Sequence, residues 1–474
     1  MSSLYKQATD LLALPDSDYS LVRPLDTAFE QYWVSFFHQT QSPECGANTK
    51  ATLFKLLGTT DPDSSNTAET PSPPITFLAH GSYGAVSSPV LDVLHKWSLK
   101  MEYNPVSFFY KTLFHYIVRS QRDVARLLGT SPENTVLVTN VEYGLSAVLK
   151  SLNLAPCDCI LAFDFTYGAV LFAMEAEAQA CNATLLRIPT STPITAESIV
   201  KDLDLFLATS AELVSGKIKL ALFEHITSPT ALVLPIDQLI CICRQHNILS
   251  FIDGAHGVGQ LDLQLDTLGP DFYVTNPHKW LCNARGCAVL YIHPEHHKWI
   301  HPLVITWGAN QGMQAEFLWQ GTADYSPFLS LVTAIRFFMW FGPSKFILRN
   351  HQLAVQVGDM LSYVWGTHLL TSDSTMIGNM VSVKVPKRMV SPQASCVNDT
   401  CSFSDLHDLL YETYRIEVPV FTFRNAQYIR VSLHIYNDID DGLRLAESVL
   451  LAYGYPHDHS SFSRLSQWIR DFKS

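Results

Sequence analysis

Between about residues 120 and 292, short β-rich apolar runs alternate with helical stretches, and this alternation restricts the fold more than any other feature. "NTVLVTN" (134–140) leads into "VEYGLSAVLKSLN", and "CILAFDF" (159–165) into "YGAVLFAMEAEAQA". "IKLALFEH" (218–225) runs through "DQLICICRQHN" to "ILSFID" (248–253). Strands that are apolar at every position are buried on both faces, and the helices between them supply the cover. The pattern therefore predicts an α/β fold with a mostly parallel sheet. Such sheets bind ligands outside the carboxyl ends of their strands. Asn140, Asp164, His225 and Asp253 each fall at or just after a strand end, which sets them along one rim.

A chain of 474 residues exceeds what one hydrophobic core usually supports, so two lobes are expected. Residues 61–74, "DPDSSNTAETPSPP", are too polar and Pro-rich to build a core, and 1–74 read as an arm and linker, partly disordered. A large domain follows over 75–310. The remainder, 311–474, mixes helical patterns near 327–342, 350–366 and 439–453 with the strand-like "IEVPVFTF" and "YIRVSL", so it reads as a smaller α+β domain.

Composition excludes several partners. A formal net charge of -12 without a basic run argues against nucleic acid. No stretch of about twenty uninterrupted apolar residues offers a membrane span. The first twenty residues carry charges and no apolar core of signal-peptide length, and the ten cysteines are scattered, so a cytoplasmic protein with reduced thiols is expected. A catalytic cysteine is the alternative for one of them. Hydrophobic residues at 47% against 16% charged leave apolar area for contact with a second copy.

The chemistry concentrates in "FIDGAHGVGQLDLQLDTLGPDFYVTNPHKWLCNARG", 251–286. Taken singly, Asp253 would be a turn residue, His256 and His278 structural histidines, and Lys279 a solvated charge. Together they form a strand-end "DGAH", a second strand "DFYVTN", and "HK" at its end. A lysine held among apolar neighbours at a sheet's end can act as a nucleophilic amine. A buried carboxylate can hold a cofactor's protonated ring nitrogen.

The order D-x-A-H followed by N-x-H-K-W resembles the pyridoxal-phosphate enzymes of aminotransferase class V, of fold-type-I architecture. Within that class the similarity is to the group containing isopenicillin N epimerase-like proteins, L-cysteine desulfhydrases and hercynylcysteine sulfoxide lyases. It is carried by "FLAHGSYGAV" (77–86), "FEHITSPTALVLPI" (223–236), "FIDGAHGVGQLDL" (251–263), "TNPHKWL" (275–281), "FLWQGTADYSPFL" (317–329), "GDMLSYVWGT" (358–367) and "EVPVF…YIRVSLHIYN" (417–437). It covers roughly 75 to 455.

The resemblance implies that Lys279 holds pyridoxal 5'-phosphate as a Schiff base and that Asp253 pairs with the ring nitrogen. It sets His256 and Ser228 near the phenolic oxygen and Tyr167 against the ring. Asn140, Asn276 and His278 would serve the phosphate, which favours a helix N-terminus. Gly321 and Thr322 match a segment that a neighbouring subunit contributes, implying a homodimer. Arg430 would bind the α-carboxylate of an amino-acid substrate. Arg430 could instead be a surface residue of an edge strand. Two positions depart from the family: Val141-Glu142 replaces Ala-Thr at the phosphate turn, and Ala79 stands where Asn often precedes His-Gly. A carboxylate facing a phosphate repels it, so Glu142 must turn away, take a proton, or weaken the cofactor's hold.

The motifs lie nearest the cysteine-desulfhydrase branch, so β-elimination from a cysteine-type substrate is expected. Epimerisation, transamination and a cofactor-poor scaffold are the alternatives. A rival of another kind is "HPEHHKWIHP", where a helix would align His293, His297 and His301 on one face, with Glu295 and His296 beside them, as metal ligands; Pro294 and the preceding strand argue instead for a turn.

Overall fold

The computed structural model describes residues 2–55, 74–214, 218–389 and 404–473. All but the last residue of the expected linker 61–74 lies outside them. Packing of the chain divides it into two units. One comprises 1–42, 86–228 and 234–344, the other 43–85, 229–233 and 345–474. These limits differ from the boundaries at 74 and 310 that the sequence pattern suggests.

The larger unit is built on a seven-stranded sheet. Its strands are β1 (Thr135–Val138), β2 (Cys159–Phe163), β3 (Thr184–Ile188), β4 (Ile218–Glu224), β5 (Leu249–Asp253), β6 (Phe272–Thr275) and β7 (Ala288–Ile292). They lie in the order β1-β7-β6-β5-β4-β2-β3. Every pair among β3, β2, β4, β5 and β6 is parallel, whereas β7 runs antiparallel to both its neighbours. The continuous apolar runs have the expected cause. Ile160, Ala162, Leu220, Leu222, Phe272 and Val274 share a core with the helices Val141–Ser151 and Gly168–Ala180. The alternate residues Leu161, Ala221, Ile252 and Val289 are also fully buried. Both faces are covered, so only the strand ends leave room for a polar site.

The first forty residues, expected as an arm, instead form three helices, Ser2–Ala13, Asp16–Val22 and Ala28–Gln39, packed on the larger unit. The reason lies in the helix Leu113–Leu127, which buries two arginines. Arg122 donates to the carbonyls of Leu11 and Leu12 at 3.0 and 2.8 Å and to Asp16 at 2.6 Å. Arg119 pairs with Glu30 and, at 3.1 Å, with Asp26. A buried guanidinium needs such partners, and the N-terminal helices bring them.

The smaller unit holds a three-stranded antiparallel sheet of β8 (Met380–Lys384), β9 (Val420–Phe423) and β10 (Ala426–Ser432), with β10 at its centre. Leu353, Val357 and Leu361 of the helix Pro343–Trp365, with Leu445 and Val449 of Ile439–Ala452, pack against Val383, Ile429 and Val431. A last helix, Ser460–Lys473, was not foreseen. No single helix among the described residues is long and apolar enough to cross a membrane.

Candidate active site

The rim at the carboxyl ends of β4, β5 and β6 carries the residues singled out in 251–286. Asp253 closes β5 in register with Glu224 of β4. The turn that follows lies close on Tyr273 of β6. A Cβ on Gly254 would stand 2.2 Å from that ring, and one on Gly257 2.0 Å from its hydroxyl, so neither position admits a side chain. The amide of Val258 donates to Thr275 Oγ1 at 3.3 Å and ties this turn to the end of β6. There Asn276 and Pro277 start a single helical turn, Pro277–Trp280, which brings Lys279 and Trp280 inward. Proline suits this start because the first amide of a helix has no partner anyway.

The result is a buried chain of three side chains. Lys279 Nζ lies 3.0 Å from His256 Nε2, and Trp280 Nε1 donates to His256 Nδ1 at 3.2 Å. Lys279 is 9% exposed, Asp253 4% and His256 1%. Asp253 Oδ1 accepts from the Ala255 amide at 2.9 Å, and Oδ2 has no hydrogen-bond partner among the described residues.

Burial pushes the Asp253 carboxyl up to about 6; the Ala255 amide and any positive charge on Lys279 oppose the rise, and Glu142 adds to it. Glu224 is pushed up to about 8, first by burial and then by the charge of Asp253. Near neutral pH this rim therefore holds one ionised and one protonated acid, side by side on adjacent strands. Burial holds His225 down to about 4, so it stays neutral, with Nδ1 2.9 Å from the Tyr273 hydroxyl.

Glu224 was missed in the sequence, although a glutamate closing the apolar run "IKLALFE" was a signal. Its Oε2 accepts from the amide of Tyr167 and its Oε1 from that of Ser228, both at 3.0 Å. It thus gathers two of the expected ring-contact residues. Tyr167, 40% exposed, begins the helix Gly168–Ala180. Asn140 caps the helix Val141–Ser151, its Oδ1 accepting from the Tyr143 amide at 2.7 Å. Gly144 lets that helix approach β6, since a Cβ there would lie 2.8 Å from Val274 Cγ2. Glu142 is exposed in the first turn. Asn276 Oδ1 is buried and unpartnered among the described residues. His278 is half-buried.

These features fit pyridoxal phosphate: a buried carboxylate with an oxygen to spare, a primary amine near it, and a helix N-terminus on the same rim. Among the described residues, Gly321, half-buried at φ 108, and exposed Thr322 join no bond to these side chains; the Tyr325 hydroxyl donates to the Gly321 carbonyl at 2.7 Å.

In the smaller unit, Arg430 lies on the central strand and is 5% exposed, which overturns the edge-strand alternative. Its Nη2 donates to Ser82 Oγ at 2.8 Å. The rival metal face is not formed, because Pro294–His296 is a 3-10 turn, as Pro294 and the strand before it imply. Each of three histidines there has its own protein partner: His296 Nε2 is 2.6 Å from Asp271, His297 Nε2 3.0 Å from the Ile292 carbonyl, and His301 Nδ1 2.7 Å from Glu316.

The family model described as Aminotransferase class-V matches residues 85–445. A probable chloroplastic L-cysteine desulfhydrase of Arabidopsis thaliana is 28% identical over 401 residues, 80% of this chain and 82% of that protein. The isopenicillin N epimerase of Amycolatopsis lactamdurans is also 28% identical, over 80% of this chain and 95% of that protein. Among solved structures, a complex of the cystine C-S lyase C-DES with cysteine persulfide superposes with a TM-score of 0.67 at 20% identity. It covers 79% of this chain and 97% of that one, a likeness of fold.

Proposed function

Since the chain belongs to the aminotransferase class-V family, we propose that it is a pyridoxal-phosphate-dependent carbon-sulfur lyase acting by β-elimination on cysteine or an S-substituted cysteine. The observation that carries the reading is the buried group of Lys279, His256 and Asp253 at adjoining strand ends. When bound, pyridoxal phosphate supplies an electron sink for charge at the substrate's α-carbon. Asp253 would hold its ring nitrogen, and Lys279 would hold its carbonyl carbon and move the α-proton. His256 and Ser228 would orient the ring oxygen and Tyr167 the ring face, with Glu224 fixing the backbone of the last two. Asn140, Asn276 and His278 would serve the phosphate.

Arg430 would take the α-carboxylate of the amino acid. The working assembly is a homodimer in which Gly321 and Thr322 complete the site of the other copy. The compartment is the cytoplasm, a reading supported by the absence of any disulfide among the eight described cysteines. The choice of β-elimination rests on relatives named as cysteine desulfhydrases. Epimerisation is the second reading, favoured by the equal identity to an isopenicillin N epimerase.

The test is spectroscopic and chemical. Purified protein with pyridoxal phosphate should absorb in the near-visible, borohydride should fix the cofactor to Lys279, and Lys279→Ala should abolish both. Incubation with L-cysteine and S-substituted cysteines should release pyruvate and sulfide or thiol. A racemised amino acid without ketoacid would replace the lyase by the epimerase, and a protein that never gains absorbance would remove the cofactor altogether.

A further inference from the structure

Trp280 has no role in the chemistry described so far, yet its indole is fully buried and aimed at His256. We propose that Trp280 is a positioning residue which, through the tautomer of His256, presets Lys279 as a neutral amine; the inference rests on Lys279 being the carbonyl-binding amine.

Donor and acceptor count fixes the tautomer. An indole N–H donates and never accepts, so His256 Nδ1, 3.2 Å away, must present its lone pair. An imidazolium would set a second N–H against the indole proton and is excluded. A neutral imidazole with a bare Nδ1 carries its proton on Nε2. That Nε2–H points at Lys279 Nζ, 3.0 Å away, and Nζ can accept only if it has a lone pair. An ammonium there would face an N–H with an N–H.

Burial acts in the same direction, because Lys279 is 9% exposed and its two neighbours less than that. Asp253 and Glu224 each couple by charge to Lys279. Asp253 favours the ammonium. Glu224 is protonated near neutral pH and adds little charge.

The consequence concerns how an aldehyde is captured. A neutral amine attacks the aldehyde carbon directly, a C=N bond forms, the C–O bond breaks, and the oxygen leaves as water with both amine protons. An unperturbed lysine at pH 7 is neutral in about one molecule in 2,500. In this chain the population would be set in advance by Trp280.

The experiment measures Lys279 without cofactor. The full-length protein, freed of aldehydes, is treated with cyanate from pH 6 to 10, and carbamylation is read peptide by peptide, with exposed Lys201 as internal reference. Lys279 should react faster than Lys201 at pH 7, with its half-rate at least about two pH units lower. Trp280→Phe, which keeps an aromatic ring and loses the N–H, should move the half-rate of Lys279 up by about one unit or more. His256→Phe should do the same. A wild-type Lys279 that is slower than Lys201 at pH 7, or follows its profile, overturns the proposal, and this needs no variant to fold. So does a folded Trp280→Phe protein whose profile matches wild type. The borohydride result tests the cofactor reading separately, so either can fail alone.

Discussion

Glu224 offers the most quantitative test of the site, through Glu224→Gln. Its carboxyl, pushed up to about 8 in the folded protein, has an ordinary value of 4.5. Between these values the unfolded chain has released this proton and the folded chain keeps it. The folded state binds more protons, so this group's contribution is fully present below about pH 4.5 and is lost as pH rises through about 8. The loss amounts to roughly 4 kcal/mol between pH 5 and pH 8. Glutamine cannot titrate, and it turns one of the two accepting oxygens into a donor facing the amide of Tyr167 or Ser228. That mismatch costs about 2 kcal/mol at any pH. The variant should therefore be less stable than wild type by about 2 kcal/mol at pH 5 and more stable by a similar margin at pH 8. Asp253, raised to about 6, titrates in both proteins and cancels in the difference. Urea unfolding of cofactor-free protein at four pH values from 5 to 8 measures it. A difference that stays constant over that range refutes the reasoning.

Glu30→Ala leaves Arg119 buried beside only the partly exposed Asp26, and should cost about 3–5 kcal/mol in urea unfolding. Gly144→Val drives a side chain into Val274, which should cost about 1–3 kcal/mol and, by shifting the N-terminus of Val141–Ser151, raise the Kd for pyridoxal phosphate in absorbance titrations. Arg430→Gln should leave the cofactor absorbance intact while raising KM for the amino acid about a hundredfold, the loss of a paired carboxylate contact. Dialysis against EDTA should leave Tm unchanged, because His296, His297 and His301 already bond to Asp271, Ile292 and Glu316.

The strands and their order of burial were legible in the sequence because a doubly covered strand is apolar at every position, a local property. For the same reason Asp253 and Lys279 could be set at strand ends from their positions after "ILSFI" and "DFYVTN". Helices at 326–341 and 439–452 followed from periodicity within a few residues of their observed bounds. What the sequence could not decide are relations between residues far apart in the chain. Glu224 became part of the site because β4 lies beside β5, and strand order is a property of the sheet. Arg119 and Arg122 drew the first forty residues into a packed layer because buried guanidinium groups need acceptors, here supplied about ninety to a hundred and ten residues away. The histidines of 293–301 lost their apparent metal face once Asp271 and Glu316 arrived from other elements. Arg430 proved buried because β10 is central, which a short "YIRVSL" does not reveal. The chain's own pattern determined the architecture and the strand-end positions of Asp253 and Lys279. The tertiary structure alone decided their protonation, since that depends on burial and on which donors and acids the fold brings within about 3 Å.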